Sequence, residues 1–120
     1  MAGSSAWLSA EALRAARGRH GSDTDGLRWL EADLFDPEAL ARGGVSAGSL
    51  QGVVEHTCFC AIPPDRRGEY LETVRRLLAP GGWLLALFWC HRRPGGPPWG
   101  SDPALLRSQL LAAGLHPEVW

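Results

Sequence analysis

One short run carries most of the side chains able to do chemistry. Glu55-His56-Thr57-Cys58-Phe59-Cys60 sets a carboxylate, an imidazole and two thiols close together. A carboxylate or an imidazole can hold or move a proton. A deprotonated thiol is a nucleophile and a soft metal ligand. Arg67 follows, a fixed cation that can draw in an anion or lower the pKa of a thiol. Cys90-His91 closes a later apolar run. His56, Cys58 and Cys60 alternate, so an ideal strand would show all three on one face. Zinc takes such ligands, but the Cys-x-x-Cys spacing is missing, and the run is read as metal-free. Plainer readings stand beside these. His56 and Asp33 can simply end strands, Arg67 can sit on a solvated helix face, and Cys58 and Cys60 can be small buried residues.

The elements that must position these groups alternate helix and strand, which predicts an α/β layer structure. Ser9 and Glu11 start a helix running to about Arg19. Leu27 to Phe35 reads as a strand, and Asp36-Pro37 caps a short helix that Gly43-Gly44 ends. Gly52 to Phe59 is the next strand. Asp65 to Ala79 is a helix with Tyr70, Val74, Leu77 and Leu78 on one stripe and a favourable Glu72–Arg76 spacing. Pro80-Gly81-Gly82 turns the chain into Trp83–Trp89, whose unbroken apolar character predicts a strand covered on both faces. Arg92 to Gly100 is a loop. Asp102-Pro103 caps a helix with Leu105, Leu106 and Leu110 on its apolar face, and Leu115 to Trp120 begins a last strand.

The whole composition narrows the classes. A chain of 120 residues allows one domain. A net charge of −1 gives no electrostatic case for nucleic acid or an anionic membrane, although every basic residue is Arg. Three cysteines in strand-like segments fit a reducing compartment. The apolar run Trp83–Cys90 is far shorter than the roughly 20 residues that span a bilayer. With no signal-peptide pattern, the expected location is cytoplasmic.

The ordered set of motifs resembles one family. Val53-Val54-Glu55-His56-Thr57-Cys58-Phe59-Cys60-Ala61-Ile62 looks like a strand and its following loop in methyltransferases of the thiopurine and halide/thiol family. Pro64, Arg67 and Tyr70 keep that family's spacing, and Gly95-Gly96-Pro97-Pro98 matches its Gly-Pro-Pro loop. Ala32-Asp33-Leu34-Phe35-Asp36 is similar to the end of the family's third strand. The likeness runs from about Leu8 to the C-terminus. Family members have Asp where this chain has Gly52, and an acid holding the ribose where it has Trp7.

The resemblance implies a Rossmann-like class I methyltransferase fold, incomplete, with the first strand, the glycine-rich loop and the last strand missing; residues 1–120 would be a partial domain. It implies S-adenosyl-L-methionine as cofactor and a small thiol or halide as methyl acceptor. Asp33 and Leu34 would meet the adenine and His56 the methionyl side, Glu55 would be a further cofactor-binding residue, Arg67 would face the acceptor as the catalytic group, and Gly95–Pro98 would lid the pocket. Most cofactor affinity would be lost with the missing loop. The family order 3-2-1-4-5 would leave Leu27–Phe35 without a neighbour and bare an edge of Gly52–Phe59. Self-association through that edge, or a complementing chain, is therefore expected. The alternative reading is an inactive degenerate paralogue acting as a binding scaffold.

Overall fold

The computed structural model describes residues 3–7, 10–20 and 26–120, with only the backbone described for 3–7, 10 and 12. The chain divides into two compact units, Met1–Ser46 and Ala47–Trp120. Together they make a mixed α/β protein with parallel strand pairs, an architecture compatible with a methyltransferase-like fold.

In the first unit, β1 (Gly3–Trp7) pairs in parallel with β2 (Leu27–Glu31), Trp7 opposite Glu31. The sequence reading had no strand here and left Leu27–Phe35 unpartnered. Gly-Ser-Ser-Ala-Trp has no apolar alternation, and its extended shape is supplied by β2. The crossover between them contains α1 (Ala10–His20), which buries Leu13 and Ala16. The expected cap Ser9 lies outside the described residues. β2 is shorter than predicted because the chain turns after it. Asp33 Oδ1 accepts the Phe35 N–H at 2.9 Å, and Asp33 O accepts the Asp36 N–H at 3.0 Å. Asp36 then caps α2 (Pro37–Arg42), accepting the N–H groups of Glu38 and Ala39 at 3.1 Å each. Leu40 of this helix is fully buried.

In the second unit, β3 (Leu50–His56) pairs in parallel with β4 (Leu78–Leu87), Gly52 facing Trp83 and Val54 facing Leu85. Leu50 faces Leu78, so Pro80-Gly81-Gly82 forms an irregularity inside β4 rather than a turn before it. Between them runs α3 (Arg67–Leu77), preceded by two short 3₁₀ turns at Phe59–Ala61 and Pro64–Arg66. Tyr70, Leu71, Val74 and Leu77 of α3 are buried. Leu78 belongs to β4 instead of the helix stripe, and the ion pair seen at the helix start is Arg66–Glu69, 3.2 Å. After a long loop comes α4 (Pro103–Ala112), where Asp102 accepts the N–H groups of Ala104 and Leu105. Leu106 and Leu110 are buried, but Leu105, expected on the same face, is 59% exposed.

Two further expectations are corrected. Leu115–Trp120 forms no strand: its N–H groups meet no sheet edge, and Leu115 N–H instead closes the helix end on Leu110 O at 2.9 Å. Trp83–Leu87 is not covered on both faces; its side chains alternate between half-buried and exposed. A two-stranded pair with a helix packed on one face leaves the other face bare. No helix among the described residues is long and apolar enough to cross a membrane.

Candidate functional site

The site is built where β3 and β4 end. β3 stops at His56 because Thr57 takes φ 66°, a left-handed conformation costly for a residue branched at Cβ. Strain of this kind gathers where a loop is held for a purpose. It also breaks the alternation that would have put His56, Cys58 and Cys60 on one strand face. Among the described residues no group of three or more His, Cys, Asp or Glu could hold a metal ion.

Glu55 is 3% exposed and folds back on the turn it precedes, its Oε1 accepting the Phe59 N–H. Its other oxygen, Oε2, is buried without a hydrogen-bond partner among the described residues. Burial pushes this carboxyl above its ordinary value, and the N–H groups of Phe59 and Cys58 pull it part of the way back. Burial likewise pushes the Cys58 thiol up, reinforced by the Glu55 charge and opposed by a hydrogen bond to Tyr70. A thiol held in its neutral form is a poor nucleophile. Tyr70 is raised as well, first by burial.

His56 is exposed and stands at the mouth of a cleft of about 350 Å³. Thr57, Cys60, Leu87, Phe88, Trp89 and Cys90 complete its lining. The cleft thus opens at the carboxyl ends of the two parallel strands, where ligands of open α/β sheets bind. Its wall is mostly apolar and aromatic, which suits a soft or weakly hydrated group. Of these residues the sequence reading placed only His56 at a site. Phe88, Trp89 and Cys90 could have been found from their position at the end of a parallel strand.

Arg67 is 5% exposed, which a helix residue near a terminus rarely is. Its guanidinium lies over the Phe59 ring, 4.5 Å from the centroid. Nη1 donates to Gly100 O at 2.9 Å and Nη2 to Trp99 O at 3.1 Å. Burial lowers its pKa, and the nearby thiols of Cys60 and Cys90 oppose that shift. Two of the three guanidinium nitrogens are therefore spent on the loop that ends at Gly100, while Nε is buried without a hydrogen-bond partner among the described residues. Two more bonds hold the same loop. Trp99 N–H donates to Cys60 O at 2.7 Å, and His91 Nε2 donates to Pro98 O at 2.8 Å. Arg93 N–H donates to His91 Nδ1 at 3.1 Å. A carbonyl only accepts and a backbone N–H only donates, so these partners require the neutral Nε2–H tautomer of His91. Gly95–Pro98 is thus tied to the cleft wall through Cys60.

Glu55, His56 and Arg67 belong to the second unit, while Asp33 and Leu34 belong to the first. Asp33 is exposed and its carboxylate is engaged in the turn with Phe35; Leu34 is half-buried beside it.

The cleft at the carboxyl ends of this parallel strand pair stands where ligands of open α/β sheets bind. No protein-family model matches the chain. It is similar to a probable thiol methyltransferase 2 of Arabidopsis thaliana, 32% identical over 65 residues, covering 53% of this chain and 29% of the relative. It is also similar to thiocyanate methyltransferase 1 of the same plant, 26% identical over 91 residues, covering 75% of this chain and 34% of the relative. The chain spans about a third of the length of the curated relatives it matches. Both relatives are named as methyltransferases.

Proposed function

We propose that this chain carries part of an S-adenosylmethionine-dependent methyltransferase whose acceptor is a small thiol or halide. The observation that carries the reading is the cleft at the ends of β3 and β4, on a chain similar to two methyltransferases. Its residues fit the methyl-bearing end of such a cofactor. Phe88 and Trp89 present aromatic surface suited to a sulfonium. Bound there, the cofactor supplies an electrophilic methyl carbon and a neutral leaving sulfur.

In this reading His56 holds the methionyl side of the cofactor, and Glu55 is a further cofactor-binding residue of the same strand. Leu87, Phe88 and Trp89 exclude water from the nucleophile, which matters because a soft anion reacts faster once stripped of its shell. A thiolate or halide needs no general base, so no acid–base pair is required. Arg67 acts on the acceptor as a positioning residue. It fixes the Gly95–Gly100 loop, which closes the acceptor side. Orientation of this kind supplies much of the rate of an in-line displacement.

Calorimetry with S-adenosylmethionine and S-adenosylhomocysteine tests the reading. Saturable binding is expected, with Kd on the order of 1 mM, about −4 kcal/mol, weakened further in His56→Ala. No binding at several times that concentration would overturn it in favour of a second reading, a non-catalytic interaction scaffold. The bare apolar face of β3–β4 is the observation that favours the scaffold.

A further inference from the structure

The bare face has a defined chemistry. Gly52, Val54 and His56 of β3 face Trp83, Leu85 and Leu87 of β4 across the pair, and Trp89 continues the row. Val54 is 69% exposed, Leu85 64% and Leu87 71%, with Trp83 and Trp89 about half exposed. A Cβ on Gly52 would run into the Trp83 indole, so the ring lies against the glycine at that end of the face. No Asp, Glu or Arg stands among these positions. Soluble proteins usually interrupt such a surface with charge or cover it.

We propose that a second copy of this chain docks here, sheet face against sheet face. Parallel strands are stable when both faces are covered, and α3 covers only one. The five large side chains leave roughly 550 Å² of apolar surface per copy. A two-fold pair would bury about 1,100 Å², close to the lower limit of a stable, specific interface. The face carries no carboxylate or guanidinium, so it meets its own copy without repulsion between such groups, as a two-fold contact requires. A charged partner would gain nothing from it. Aligned sheet packing at about 10 Å lets the leucines of the two copies interdigitate. Leu87 and Trp89 also line the cleft, so docking would extend its wall with residues of the second copy.

Sedimentation velocity from low to high micromolar concentration tests this. The wild-type chain should shift with concentration from 13.0 kDa to twice that mass. Val54→Glu and Leu85→Glu lie on the face but outside the cleft, and each should weaken the dimer at least about tenfold, 1.4 kcal/mol. Both should keep the far-ultraviolet circular dichroism of the wild type at low concentration. A dimer that survives Leu85→Glu would be pairing through strand edges, which that substitution leaves intact, and would overturn the proposal. A monomer at every concentration, an open-ended series of oligomers, or a stable complex with a different polypeptide on this face would also overturn it.

Discussion

The two faces of the β3–β4 pair are made from similar residues and behave oppositely. Phe59, Tyr70, Leu71, Val74 and Leu77 close over one face around Glu55 and Arg67, and all are at most 6% exposed. On the other face Val54, Leu85 and Leu87 are more than 60% exposed. The covered side shows what burial does to chemistry. A carboxyl is pushed toward its neutral form, and a guanidinium turns its two terminal nitrogens to carbonyls 99 and 100. The open side shows that apolar character does not by itself produce burial.

The largest expected effect lies on the covered side. Phe59 is 1% exposed and meets Tyr70, Phe88 and Arg67, so Phe59→Ala should cost about 3–5 kcal/mol in denaturant unfolding. A cost under 1 kcal/mol would mean that this face is as open as the other. Arg67→Met should cost about 2–3 kcal/mol, because two carbonyls lose a charged donor. It should also speed amide exchange at Trp99, which a purely local helix effect would leave unchanged.

Glu55 sharpens the comparison through pH. Its folded-state carboxyl holds the proton more tightly than the unfolded one, because burial raises its pKa. The associated stability is fullest below the unfolded value and is lost as pH rises through the folded value. Glu55→Gln should therefore flatten the fall in stability on raising the pH from acid toward neutral, measured by thermal melts across that range. The smallest effect belongs to the open face. Leu85→Ala should change the unfolding free energy of the dilute chain by no more than about 0.5 kcal/mol, although the same change in a closed core would cost 2–5 kcal/mol.

Local signals in the chain were read well where one or two residues sufficed. Asp36-Pro37 and Asp102-Pro103 do start helices, and each aspartate accepts two N–H groups as a cap should. The apolar stripe of α3 was legible from Tyr70, Val74 and Leu77, though fully buried Leu71 was not picked out. β1 was missed because Gly3–Trp7 owes its extended form to pairing with residues more than twenty positions away. The site was legible in part. His56 was placed at a strand end, and it does line the cleft. Glu55 is buried beside it. Arg67 was read as a cation reaching for a ligand, but its partners come from carbonyls more than thirty residues on, which no local spacing reveals.

Residue order alone determined the starts of α2 and α4, the two strands that flank α3, and the run of carboxylate, imidazole and thiols at the end of β3. These follow from short-range rules: caps, proline at the first helical turn, and apolar periodicity. Tertiary structure decided which apolar face is buried, which carboxyl is pushed toward its neutral form, and where a buried cation finds its acceptors. Burial and long-range hydrogen bonds depend on what the rest of the chain brings to a surface. For β3 and β4 it brings a helix to one side only.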